Sequence, residues 1–257
     1  MKKILALVIA LTLLCAMFVS CGDDPQTLIE KADAALKEGP YAATFKFNIE
    51  ADNEELNKVF SIMNMEIPTI IDGNNLVMNM SMDVMGDTVA LDATIVDMVM
   101  YYDIELFGES VKMKSTMTEE QYQEFIEDSN TQMLLMPDDF SEMTVESKDG
   151  KKYITCTGLS EDGFKVLNDA VSEQLESIGV SVDVSEISYT LTLDKGKYES
   201  IDMHCVFTPT IGDGTTTITM DMSAEYSYDN IAKITVPADA DEYELYDPEA
   251  DWEEWGW

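Results

Sequence analysis

Apolar residues along this chain recur at two alternating spacings, and the switches between them mark its elements. Helical spacing comes first at Leu28, Ile29, Ala32, Ala35 and Leu36, with Asp24 as the cap, Pro25 in the first turn and Gly39-Pro40 as the stop. It returns at Leu56, Val59, Phe60 and Met63, behind a capping-box pair formed by Asp52 and Glu55. Thr118 and Gln121 repeat that box, with Met117 and Tyr122 as its hydrophobic staple. Ser160 opens a last helix that carries Phe164, Leu167, Val171, Leu175 and Ile178 and closes at Gly179.

Between the helices the period is two. Ala43, Phe45, Phe47 and Ile49 alternate with polar neighbours; so do Met78, Met80 and Met82, then Val89, Leu91, Ala93 and Ile95. Met98, Met100, Tyr102, Ile104 and Leu106 continue the pattern, and a turn at Gly108 leads to Val111 and Met113. Strands at 142–148 and 151–158 meet at Asp149-Gly150, a strong hairpin signal. Three more are predicted at about 186–194, 199–209 and 215–228. One-sided alternation over so many hairpin-linked strands predicts an antiparallel sheet with one apolar and one polar face. The helical stripes need that apolar face for burial. The expected fold class is α+β: a long curved antiparallel sheet, a half-barrel, with helices covering its concave apolar side.

The amino terminus carries a different message. Lys2 and Lys3 precede an apolar run from Ile4 to Val19, and Phe18-Val19-Ser20-Cys21 ends it. That is the layout of a secretory signal peptide, too short for a comfortable membrane span. Its end resembles the bacterial lipobox, in which the cysteine takes a diacylglyceryl group and the peptide before it is removed. Phe18 stands where Leu is usual. Cys15 is a poor competitor because Leu14 precedes it. The organisation expected is a signal peptide over 1–20, a tether over 21–24, one half-barrel domain over 25–246 and an acidic aromatic tail over 247–257. Four tether residues reach at most about 14 Å, so the domain is expected close to the outer face of the cell membrane, held through lipidated Cys21.

Charge narrows the partners. The chain has 51 acidic residues against 15 basic ones, for a net charge of −36, and every basic residue is Lys. Such a balance opposes nucleic acid and anionic membrane faces as partners. The acids are scattered along strands, which suits a solvated surface.

The lipobox, a first helix, a meander of Met-rich strands with later helical insertions, and the closing Tyr226-Ser227-Tyr228-Asp229-Asn230 and Ile234-Thr235-Val236-Pro237 together resemble the Lol-type lipoprotein-carrier superfamily. More narrowly, the chain is similar to uncharacterised lipoproteins of Gram-positive gut bacteria with that fold. The resemblance implies a half-barrel whose lidded concave side holds acyl chains, and it supplies no catalytic residues. Fold alone does not fix function.

Catalytic chemistry finds little support. His204 is the single histidine, which removes histidine-clustered metal sites, and its place on the polar face suits a surface residue. Phosphate loops, nucleophile elbows and zincin motifs are absent. Asp239, Asp241, Glu242 and Glu244 lack the EF-hand pattern and are expected to be solvated. No cofactor or metal is expected. Cys156 and Cys205 could form a disulfide after export. A meander, however, sets the strand at 186–194 between theirs, about 9.5 Å apart and beyond bridging distance. Two buried free thiols are expected. Eighteen methionines, several alternating along strands, make a soft apolar surface suited to core packing or to a flexible ligand. Two readings follow. One is a lipid-anchored protein holding an acyl chain or other apolar molecule in a cavity lined by Phe45, Phe47, Met80, Met100 and Tyr102; the other is an envelope interaction protein with a fully packed core. The oligomeric state stays open.

Overall fold

The structure, a computed structural model, describes residues 24–60, 64–84, 87–106, 108–122, 139–165, 167, 180–211 and 214–246. The lipobox with Cys21 and the tail over 247–257 lie outside the described residues. Helix α1 (Pro25–Lys37) starts as its sequence dictates: the Asp24 carboxylate accepts from the Thr27 backbone N–H at 3.1 Å, with Pro25 in the first turn. Its Ile29 and Ala32 are buried. Helix α2 (Glu54–Phe60) is capped one residue later than expected. Asn53 accepts from the Leu56 N–H at 3.2 Å, while Asp52 accepts from the Thr216 hydroxyl and ties the end of the first strand to a distant link. At Thr118 the reciprocal box forms in full: Thr118 N–H donates to the Gln121 side chain at 2.9 Å, and Gln121 N–H to the Thr118 hydroxyl at 3.2 Å.

The strands are β1 (Tyr41–Ala51), β2 (Met65–Asp72), β3 (Asn75–Val84), β4 (Asp87–Val96), β5 (Val99–Leu106), β6 (Glu109–Thr116), β7 (Phe140–Lys148), β8 (Lys151–Leu159), β9 (Val180–Asp194), β10 (Lys197–Ile211), β11 (Gly214–Thr215), β12 (Ile218–Ser227) and β13 (Glu244–Leu245). They form one open, curved sheet in the order β13-β6-β5-β4-β3-β2-β1-β12-β10-β9-β8-β7, with β11 beside β10. Two meanders are therefore joined where β1 pairs with β12. The α+β half-barrel expected from the sequence is the fold observed.

Several strand details differ from expectation: the strand expected over 215–228 is broken at Thr216-Thr217 into β11 and β12, and the one expected from 186 begins at Val180. Strand β2 does not announce itself, because Pro68 interrupts its alternation; its ladder to β3 skips Ile67 and Pro68, where the imide has no N–H to give. Met98 is not a strand residue but half of a two-residue turn, Asp97-Met98, with φ of 51° and 64°. The sheet is also not wholly antiparallel, because β13 runs parallel to β6.

The main core lies on the apolar face under β7–β10 and β12, beneath α1. Ile154, Leu191, Leu193 and Tyr198 are almost entirely removed from water. The helix begun at Ser160 joins it, but its stripe is rotated from the expected one: Leu167 is 8% exposed and Phe164 47%. The side turned inward carries Gly163, and this glycine is needed for close approach: a Cβ there would stand 2.1 Å from the Asp139 carbonyl oxygen.

The other face is not uniformly polar. After β12 the chain crosses it, and Ile234 and Tyr243 are buried with Val96 and Tyr101 against Ile70, Val77 and Val99. The Tyr101 and Tyr243 rings meet edge to face at 5.4 Å. Lys112 binds both Asp239 and Glu242 of this strap, so these two acids are ion-paired rather than merely solvated.

Gly163→Ala should cost about 2 kcal/mol, in the range for overpacking a tight contact. Gly39→Ala, at a position with nothing within 4 Å, is its control and should stay within about 0.5 kcal/mol. Urea unfolding midpoints measure both; equal midpoints would contradict the close helix–Asp139 approach.

Candidate ligand-binding face

Because side chains alternate along strands, register decides which candidates share a surface. Phe45 opposes Ala224 and Ile67, and Phe47 opposes Met222 and Met65. Met80 opposes Leu91, Ile95 opposes Met100, and Tyr102 lies between Ala93 and Met113. All five expected residues thus lie on the apolar face, half-buried. They do not converge on one point. Phe45 and Phe47 sit on β1, Met80 on β3, and Met100 and Tyr102 on β5, so they span about 19 Å across four strand spacings. Met100 and Tyr102 meet, the Tyr102 hydroxyl lying 3.6 Å from the Met100 sulfur.

Exposure on this face is graded along the strands. Tyr41, Ala43, Thr69, Ala93 and Ile95 are buried, with half-buried neighbours such as Met78 and Met100 in their rows. Nearby, Tyr122 is buried and its hydroxyl donates to the Asn74 carbonyl. Toward the opposite strand ends the rows open, until Leu106 is 43% and Val111 49% exposed. The β1–β6 half of the face is therefore looser than the β7–β10 half.

The polar face carries a depression of about 270 Å3 between Lys46, Asn48, Asp202, His204, Asp221 and the short side chains of Ser188, Thr190 and Ser223. Its ionic groups are already engaged: Lys46 with Glu225 at 2.8 Å, His204 Nδ1 with Asp221 at 2.7 Å, and Asp202 accepting from the Ser200 hydroxyl at 3.1 Å. His204 is the partly exposed polar-face residue expected from the sequence. Among the described residues, no group of three or more His, Cys, Asp or Glu side chains is placed to hold a metal. Among the same residues, no helix is long and apolar enough to cross a membrane.

The comparisons add a family. A family of unknown function, DUF6612, matches residues 26–243. The chain belongs to this family. No curated protein matches it. Among solved structures, this DUF6612 chain is similar to the YwiB protein from Bacillus subtilis, with 9% identity, coverage of 74% of this chain and 93% of that one, and a TM-score of 0.19. It is also similar to MucB in complex with MucA(peri), at 9% identity over 82% and 97% of the two chains with a TM-score of 0.11. The MucA/MucB complex from Pseudomonas aeruginosa gives 9% identity, the same coverage and a TM-score of 0.13. Likenesses this weak carry no inference about function.

Sequence reasoning did not foresee a tyrosine cluster on the apolar face of the DUF6612 fold. Tyr226 packs against Tyr41 at 6.0 Å and Tyr198 at 5.7 Å, and Tyr198 donates to Asp33 of α1 at 2.7 Å. Burial pushes the Tyr198 and Tyr226 hydroxyls well above the usual phenol range. Both hydroxyls stay neutral, and the Tyr198–Asp33 bond pins α1 to the sheet. The only signal was the alternation of Tyr226 and Tyr228, which reads equally well as plain core.

Among the described residues, Cys156 and Cys205 are free and buried. Cys156 opposes Tyr189 of β9 and Cys205 opposes Ile187 of the same strand, so β9 lies between them as the meander order requires. Burial pushes the Cys156 thiol up to about 11. A thiol held so far above neutral pH has little thiolate to react with. Maleimide at pH 7 should therefore label neither cysteine in the folded protein over minutes, and both at once in 6 M guanidinium (a concentration of about twice what unfolds typical domains) without reductant. Labelling that required reductant would reveal a disulfide and overturn the strand order.

Proposed function

We propose that this protein is a lipid-anchored lipoprotein on the extracytoplasmic face of the cell membrane, binding an acyl chain or similar apolar ligand on the β1–β6 half of its apolar face. The observation that carries the reading is the grading of that face, from buried Ala93 and Ile95 to exposed Leu106 and Val111. Buried residues such as Ile154, Leu191, Leu193 and Tyr198 fill the β7–β10 half, whereas the β1–β6 half leaves most of its apolar side chains only half-buried. The looser half is also the Met-rich one, with Met65, Met78, Met80, Met82, Met100 and Met113 on one surface. Flexible thioethers repack around ligands of varied shape. Burial at about 25 cal/mol per Å2 lets an acyl chain bind without a charged contact, which suits a chain that has no Arg for gripping headgroups. The lipobox-like end of the signal segment and the short tether support placing this face near lipid.

Two measurements test the reading. Replacing Cys21 with Ser should leave an unprocessed precursor or release the protein from membranes; normal processing with unchanged membrane association would refute the anchor. The Cys21→Ser protein should retain extractable lipid and bind a fluorescent fatty acid saturably. Met80→Lys, which places a charge in the middle of the face, should weaken that binding by at least about tenfold, because about 1.4 kcal/mol suffices and an unpaired buried charge costs more. Absence of both extractable lipid and saturable binding would leave an envelope interaction module with no ligand.

A further inference from the structure

We propose that the β7 edge is a strand-addition site for an extended basic segment of a partner protein. The sheet has two ends, and the chain treats them differently. At the β6 end, β13 pairs with Met113 and Lys114, and Tyr246 N–H continues the contact by donating to the Lys114 carbonyl at 2.8 Å. At the other end stands β7, nine residues long, and among the described residues no strand lies beyond it. Sheet edges left open are commonly blunted by proline, by short length or by charge, because unpaired backbone groups invite another strand. The charges of β7, Glu142, Glu146 and Lys148, reject acidic strands while admitting a basic one. Between Glu142 and Lys148, β7 has no proline, and its ladder to β8 runs without a register break.

Its side chains specify what would fit. Glu142, Thr144 and Glu146 are exposed on the polar face, whereas Met143 and Val145 are half-buried on the apolar face and pack against the main core. A strand laid beside β7 would place its alternate residues opposite these. The complement is a basic residue facing Glu142, an apolar one facing Met143, a neutral one facing Thr144, an apolar one facing Val145 and a basic one facing Glu146. That pattern is symmetrical, so it serves either strand direction. Lys148, paired with Lys151 at the hairpin end, discourages a further basic residue there and helps set the register. A second copy of this chain fits less well. Pairing centred on Thr144 sets Glu142 against Glu146 twice, and any pairing brings together two chains of net charge −36. A basic segment is drawn in by that same charge.

The site lies apart from the acyl-binding face of β1–β6, so either proposal can fail alone. The test uses the full-length protein in mild detergent and the labelled peptide Thr-Lys-Val-Thr-Val-Lys-Thr, followed by fluorescence anisotropy. Saturable binding is expected, at least about tenfold tighter than for the same peptide with Glu in place of both Lys, since two cross-strand pairs change from attraction to repulsion. Glu142→Lys with Glu146→Lys changes only exposed positions and should reverse that preference. A peptide of equal composition with its two lysines adjacent should bind at least about tenfold more weakly, because it cannot match the spacing. No saturable binding, equal affinity for the adjacent-lysine peptide, indifference to the double substitution, or occupation of β7 by a second copy in a concentration-dependent dimer would each overturn the proposal.

Discussion

The sheet is continuous only because β1 and β12 meet. Along β1 and β12 the register runs unbroken from Ala42 opposite Ser227 to Ala51 opposite Ile218. Most other neighbouring strands are joined by short hairpins, so each meander can form from local contacts. The β1–β12 joint instead closes a loop of most of the chain, and its entropy must be met before any contact repays it. The apolar face supplies the return: Tyr41, Ala43, Ile218 and Ala224 are buried along the joint, and Tyr41 and Tyr226 pack across it. The Lys46–Glu225 pair on the other face is too exposed to add much. Asp52 extends the joint past its last ladder pair, since its N–H donates to the Thr217 carbonyl at 3.0 Å.

Much of this fold was legible in the sequence because its signals are local. Asp24-Pro25 starts a helix by filling a vacant acceptor role and avoiding a lost N–H, and Thr118 with Gln121 satisfies two N–H groups reciprocally. Asp149 and Gly150 adopt φ of 54° and 84°, the left-handed values a two-residue hairpin needs. The placement of the two thiols on either side of β9 also follows from meander order. What escaped was set by distant contacts. Asp52 has the right offset from Glu55 for a cap, yet Thr216 takes its carboxylate and Asn53 caps instead. Phe164 has helical spacing with Leu167, but close approach to Asp139 demands the glycine side. For the ligand face, alternation correctly put Phe45, Phe47, Met80, Met100 and Tyr102 on one surface. It could not give their spread across β1, β3 and β5, which depends on strand order rather than period.

The strap is the clearest case of a feature without a local signal. Val77, Val96, Val99 and Tyr101 are apolar residues on a face otherwise occupied by Asn79, Asp92, Asp103 and Lys112. Read strand by strand, each is a minor break in the pattern. Together they form a patch that would cost free energy if left in water. Ile234 and Tyr243 cover it, and Lys112 holds the covering segment through Asp239 and Glu242 while its ammonium also lies 5.7 Å from the Tyr243 ring. Lysine is scarce in this chain, so placing one where it serves two acids and an aromatic ring is an economical use of positive charge.

The two halves of the apolar face differ in how completely they are buried. Near β12, the rows of β8–β10 are filled by Ile154, Ile187, Leu191, Leu193 and Tyr198, branched or aromatic residues with few rotamers. Such residues fix one arrangement, which is what a long-range joint needs from its support. Methionines occur on both sides of the joint, Met220 and Met222 of β12 and Met203 of β10 among them. On β2, β3, β5 and β6, however, they lie where burial is incomplete, and such a surface tolerates many arrangements at similar energy. A rigid half can hold the sheet's curvature while the soft half adjusts to what it covers or binds. An all-branched face across β1–β6 would be better specified and less adaptable. Incomplete burial and unbranched side chains therefore coincide on β1–β6, and the acyl-binding reading proposed above rests on that coincidence.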